Sequence, residues 1–227
     1  MELDVAQLSP HDTYKLLIGT VLPRPIAFVA THSVGGVPNL APFSFFNVVS
    51  GHPPIVAIAV GRRLDGRRKD TAENAAQTGE LVVNVVDEDL AERMNLTSGE
   101  WPPETDEFTL AGLTPLPSVR VRPSRVAESP IHLECHLERL ITLGAGKHAH
   151  DVLFAEIIYY HVRDDLYQEG RIDTDRLRPV GRLAGDGYTR TRDTFAMRRP
   201  VAEAASPSVT AGTRPPDKRP QAGGDDR

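Results

Sequence analysis

Two long segments near the middle of the chain, Ile131–Leu143 and Val152–Val162, do most to limit what it can fold into. In the first, Ile131, Leu133, Cys135 and Leu137 alternate with His132, Glu134, His136 and Glu138. That period of two marks a strand with one apolar and one polar face, which makes His132 and His136 surface or interface residues. The second segment is apolar on both faces, as a central strand is. Upstream, an apolar run at Ile26–Ala30, the pair Gly35-Gly36 and then Val37–Val49 read as a β-hairpin. Ile55–Val60 and Leu81–Val86 are further strands. Most of these runs are not separated by crossover helices. The pattern therefore favours a mainly β fold, an antiparallel β-barrel closed or nearly closed, with a few peripheral helices. No Gly-x-Gly-x-x-Gly follows a strand, which argues against a Rossmann dinucleotide site.

The helices are short and placed by their caps. Ser9, Pro10 and Asp12 start one over Pro10–Ile18, and Pro23 and Pro25 forbid its continuation. Asp70–Thr78 is helical with Gly79 as its stop. Asp87–Asn95 is a short helix with acids at its start. Residues 97–124, rich in Pro, Gly and Thr, read as a long surface excursion, and Leu177–Tyr188 has no clear class.

At 227 residues the chain supports one substantial core. Residues 1–199 form that domain. From residue 200 onward Pro, Gly, Ala and mixed charge replace large apolar residues, so 200–227 is expected to be a disordered tail. The net charge of −5 argues against a dedicated nucleic-acid binder. The single cysteine, Cys135, permits no intramolecular disulfide and suits a reducing cytoplasm. The N-terminus has no signal-peptide pattern, and the longest apolar runs are too short to span a bilayer, so no membrane association is expected.

Two stretches carry the chemistry. Asn39–Asn47 reads Asn-Leu-Ala-Pro-Phe-Ser-Phe-Phe-Asn. Pro42 removes a ladder donor and marks an edge or a bulge. Ser44 and Asn47 can bond the edge of a heterocycle, and Phe43, Phe45 and Phe46 can wall a flat ring. For at least one of those three aromatics, a place in the core is the better reading. The second stretch is Lys69-Asp70-Thr71, at a helix start, with Arg62, Arg63, Arg67 and Arg68 nearby. A cation, a hydroxyl and backbone N–H groups together suit a phosphate monoester. From spacing alone, a solvated basic loop capped by Asp70 is the simpler account. His148-Ala149-His150-Asp151 does not match a binuclear zinc motif, and no metal site is expected. Cys135 reads as a buried inert thiol.

These pieces, in this order, resemble the flavin reductase-like family, and more closely its flavoredoxin branch. They are Pro23–Val29, Asn39–Asn47, Gly61–Gly66 leading into Lys69-Asp70-Thr71 and Asn74, Gly79–Asn84, Asp106–Phe108, Ala111–Leu113, Ala127–Pro130 with Glu134-Cys135, and Val180–Leu183 with Tyr188. The resemblance covers roughly residues 10–199. It implies an FMN-binding split β-barrel, usually a homodimer with the flavin near the subunit interface. Asn39, Ala41, Ser44, Phe45 and Asn47 would line the ring and ribityl chain. Arg63, Lys69 and Thr71 would hold the phosphate, with Arg24 in support. His150, with Glu156, resembles a His–Glu pair near the nicotinamide or flavin face and is the one candidate catalytic residue. Arg62 replaces a common Ser and would bring a charged phosphate contact. Ala184 and Asp186 interrupt the usual stretch before Tyr188.

The activity so implied is hydride transfer from NADH or NADPH to flavin, with electrons passed to a partner protein, a monooxygenase or oxygen. An FMN-binding electron carrier without nicotinamide turnover is the alternative. A split-barrel binder of haem or pyridoxine phosphate is a third.

Overall fold

The computed structural model of the chain describes residues 1–200. The expected tail therefore lies outside the described residues, apart from its first position. The chain divides into a compact unit, Met1–Thr194, and a second, Phe195–Arg227, of which residues 195–200 are described and carry no helix or strand.

Seven strands build the main sheet: β1 (Ala27–His32), β2 (Pro38–Phe43), β3 (Phe46–Gly51), β4 (Pro54–Gly61), β5 (Glu80–Val85), β6 (Ile131–Leu143) and β7 (His150–Val162). Their order is β2-β1-β5-β6-β7-β4-β3, and every pairing is antiparallel. The edge strands β2 and β3 are joined by Ser44 and Phe45 alone. So short a link keeps the edges within about 11 Å of each other there. The sheet must curl until its two edges nearly meet, which is the geometry of a split barrel. The Phe45 carbonyl ties this link to β4 by accepting the Ala59 N–H at 2.8 Å.

The expected single run Val37–Val49 is thus two strands on opposite edges of the sheet. Pro42 lies on β2, an edge strand, where its missing N–H is harmless. On the same edge, the Leu40 N–H is donated to Glu107 Oε2 at 3.0 Å rather than to a neighbouring strand.

Among the described residues, five α-helices surround the sheet: α1 (Pro10–Thr20), α2 (Asp70–Thr78), α3 (Ala91–Leu96), α4 (Glu107–Leu110) and α5 (Thr174–Leu177). Ser9 Oγ accepts the Asp12 N–H at 3.1 Å, which starts α1 where the capping pattern placed it. α2 ends at Gly79, whose φ of 71° is the left-handed cap that glycine adopts without strain. No residue of α1 is buried, and Tyr14, Leu16 and Leu17 are exposed.

The strand period divides the core. Val29, Val56, Ile58, Leu81, Val83, Leu153 and Ala155 fill the barrel interior. Phe28, Ala30, Leu40 and Val82 face the other way and pack under Leu90, Met94, Phe108, Val121 and Val126. Residues 97–124 run over the surface as expected, with most positions exposed. They are also a cover, because Phe108, Ala111, Leu113 and Val121 turn inward and complete a second core.

This cover corrects the expected polar face of β6. His132 and Glu134 are buried beneath it, while His136 is exposed. Asn84 and His132 are register partners on β5 and β6. Between them they take both backbone groups of Val126: its N–H goes to Asn84 Oδ1 at 2.9 Å, and its carbonyl accepts from His132 Nε2 at 2.8 Å. Burial pushes the His132 pKa down to about 4, so the ring is neutral at physiological pH. Glu134 accepts the N–H groups of Val119 at 2.8 Å, Arg120 at 2.6 Å and Val121 at 3.3 Å, and meets His161 Nε2 at 2.5 Å. Burial opposes its ionisation, but His161 and the backbone donors together outweigh burial and hold its pKa below the ordinary carboxylate value.

Glu134→Ala is expected to destabilise the fold by about 2–4 kcal/mol, because several buried donors lose a charged acceptor at once. The contribution of Glu134 is complete above the unfolded carboxylate pKa. It declines as pH falls through the lowered folded value. Denaturant melts of both proteins across the acid range test this. Equal loss of stability on acidification, starting from equal midpoints, would refute it.

Candidate flavin site

Asn39 and Thr71, on different elements, meet in the structure. Asn39 Nδ2 donates to Thr71 Oγ1 at 2.9 Å and to Thr31 Oγ1 at 3.1 Å, and Asn74 Nδ2 donates to the same Thr31 oxygen at 3.2 Å. All four side chains belong to buried residues. This quartet bolts the start of α2 to β1 and β2. It also orients Thr71: its oxygen accepts from Asn39, so its own hydrogen is directed elsewhere.

Beside the quartet lies a small open cleft. Asn39, Ala41, Pro42 and Phe43 of β2 form one wall. Arg63, Lys69, Asp70 and Thr71 form the base, and residues 97–101 with Glu107 close the other side. Five of the expected cofactor residues therefore come together: Asn39, Ala41, Arg63, Lys69 and Thr71. Asn39 sits at the Thr71 end of the cleft rather than away from it.

The basic loop resolves into pairs. Arg62 meets Asp151, with Nη2 to Oδ1 at 2.9 Å. Arg63 meets Asp70 at 2.6 Å, and Arg67 meets Asp65 at 2.6 Å. Arg68 lies 3.6 Å from both Glu73 and Asp151. Among the described residues Lys69 has no carboxylate within salt-bridge distance, yet it borders the cleft at the N-terminus of α2. The expected charged contact from Arg62 is overturned. Its guanidinium is committed to Asp151, a buried carboxylate that also accepts from Thr142 at 2.7 Å, and it does not line the cleft.

A second cluster gathers Arg24, Ser44, Phe45 and His150. Phe45 and His150 stack with ring centroids 5.9 Å apart, and Arg24 lies 5.9 Å from the Phe45 centroid. Arg24 is a buried hub. It donates to the carbonyls of Ile18 at 2.8 Å, Val21 at 3.0 Å and Leu183 at 3.0 Å, and to Ser44 Oγ at 3.3 Å. Its backbone pairs with Arg182, and at Gly181 a Cβ would lie 2.9 Å from Pro23 Cβ, so glycine alone allows that approach. Arg24 thus supports the Ser44-Phe45 link from behind. The two clusters connect along the chain, by β2 into Ser44-Phe45 and by Gly61, the register partner of His150, into Arg63. Asn47 lies outside both: it is exposed on β3 and accepts the Val48 N–H at 2.8 Å.

Trp101 and Thr31 went unread in the sequence, and Glu107, part of the matching Asp106–Phe108 piece, was given no role there. Thr31 looks like an ordinary strand residue. Trp101 lies in an aperiodic stretch, where its Nε1 donates to the Leu96 carbonyl at 3.1 Å. Glu107 is buried, and burial raises its pKa despite the Leu40 N–H bond.

Arg24→Lys is expected to cost about 2–4 kcal/mol of stability, because a single ammonium cannot reach three carbonyls that a planar guanidinium spans. Hydrogen exchange should then speed up selectively in α1. Unchanged protection of α1 would count against the hub.

The comparisons fit this geometry. The flavin reductase like domain matches residues 18–178. A protein of Halalkalibacterium halodurans is 50% identical over 203 residues, covering 88% of this chain and 97% of its own. The crystal structure of nitrilotriacetate monooxygenase component B from Bacillus cereus superposes with a TM-score of 0.84 at 39% identity, over 87% of this chain and 98% of that one. The structure of the 2-nitrobenzoate 2-nitroreductase of Pseudomonas fluorescens does so with a TM-score of 0.80 at 33% identity, over 92% and 100%. With a split barrel whose edges are joined by Ser44-Phe45 and a cleft beside it at the start of α2, the chain belongs to the flavin reductase-like domain family.

Proposed function

We propose that this chain is an FMN-binding oxidoreductase of the flavin reductase type, which takes hydride from NADH or NADPH and passes electrons to a separate acceptor. The observation that carries the reading is Lys69: a cation without a carboxylate partner among the described residues, bordering the cleft at the start of a helix. Such a group fits a phosphate monoester, and so does the Thr71 hydroxyl beside it. The amide groups of the first turn of α2 add donors that the helix itself leaves unsatisfied. Arg63, paired with Asp70, holds the rim of the same end.

The flavin, when bound, supplies the hydride chemistry. The residues of this chain supply position and field. Ala41, Pro42 and Phe43 would wall the ribityl chain. Ser44 and Phe45, braced by Arg24, would support the ring, and His150, stacked on Phe45, would face the nicotinamide.

A second copy of the chain belongs to this reading. On the outer face of the sheet, Ile141 lies beside Val152, Leu143 beside His150, and Phe154 beside Ala57. Ile141 and Leu143 are exposed, and the other apolar members are only half covered. A partner subunit on this face would close over His150. The likeness to a monooxygenase component B supports an acceptor on a separate monooxygenase protein.

Anaerobic mixing of the FMN-loaded protein with NADH or NADPH is expected to bleach the flavin absorbance. No bleaching with either nucleotide would sink the reductase reading, and reduction by a redox protein alone would replace it with electron carriage. Lys69→Ala should weaken FMN binding by about 1–3 kcal/mol. An unchanged FMN affinity would remove Lys69 from the site.

A further inference from the structure

Glu107 is an anomaly in a cleft read as an anion site. It is a buried carboxyl group bordering the same space as Lys69 and Thr71. One of its oxygens is held by the Leu40 N–H, so the group cannot swing away without orphaning that edge amide. A dianionic phosphate placed against Lys69 would share the cleft with a second, poorly solvated negative charge. We propose that Glu107 is a specificity-determining residue of the phosphate end, which binds a proton as the flavin phosphate binds and so couples cofactor affinity to pH. The proposal rests on the reading of the cleft as a flavin phosphate site.

The neighbours leave Glu107 as the acceptor for that proton. Asp70, on α2, is paired with Arg63 at 2.6 Å. Asp106, on α4 itself, caps the helix by accepting the Phe108 N–H at 3.0 Å. Glu100 faces the cleft from an exposed position where solvent screens it. No histidine borders the cleft. Burial and the charges of Asp70 and Asp106 already raise the pKa of Glu107 in the free protein. A bound phosphate adds a like charge and raises it further.

The direction separates this from ordinary phosphate binding. Cations favour the dianion and make phosphate release a proton around its second pKa of about 6. A carboxyl group that must become neutral makes binding consume one. With a higher pKa in the complex than in the free protein, affinity increases as pH falls.

FMN titration calorimetry in two buffers of different ionisation enthalpy, between pH 6.5 and 8.5, reads the proton balance directly. Net proton uptake by the wild-type protein is expected. Its dissociation constant should be lower at the acid end of that range than at the alkaline end. Glu107→Gln keeps an acceptor for the Leu40 N–H but cannot titrate. It should bind FMN with no proton uptake, a flat profile and tighter affinity at the alkaline end. Riboflavin, which lacks the phosphate, should show no uptake with either protein. Proton release by the wild type, or the same uptake by Glu107→Gln, overturns the role of Glu107 while leaving the flavin site standing. Failure of the wild type to bind FMN overturns the site reading itself, and the proposal with it.

Discussion

The burial of one carboxylate, Glu134, decides how much of this chain becomes structure. Its oxygens gather three successive backbone N–H groups and the ring of His161 beneath a segment with almost no regular secondary structure. A buried charge is costly alone, and here its donors come from the segment that buries it. Asn84 and His132 extend the same row by taking both backbone groups of Val126. With its far end pinned, the segment lays Phe108, Leu113 and Val121 on the sheet and carries Trp101 and Glu107 to the cleft. One wall of the candidate site therefore depends on polar contacts at the opposite end of the cover.

That dependence explains what could be read from the residues alone. Strands β4 to β7 and helix α2 were legible because apolar period and capping chemistry are local. Gly79 ends its helix as a left-handed cap, and Pro42 sits on an edge. The alternation on β6 was legible too, but its polar face was misjudged. Whether His132 and Glu134 meet water is decided by residues 117–126, whose own sequence gives no period. The split of Val37–Val49 into two edge strands was equally hidden. It follows from closing the sheet, which is a property of seven strands and not of thirteen residues.

The site shows the same division. Asn39 and Lys69-Asp70-Thr71 stand out as residue types, and the structure joins them through a 2.9 Å hydrogen bond. Sequence spacing could not say which of five neighbouring cations remains available. Four are neutralised by partners as near as Asp65 and as far along the chain as Asp151. Local basicity overstated the charge of the loop, and pairing leaves one well-placed ammonium in its place.

The edge of β2 has a consequence away from any cofactor. Pro38, Leu40 and Pro42 share the period of two that turns their backbone nitrogens outward. Two of the three have no hydrogen to give, and the third is already bonded to Glu107. An open barrel must carry exposed edges, and such edges invite another chain to add a strand. This one offers no amide donor along its middle, because Glu107 holds the one N–H that its two prolines leave.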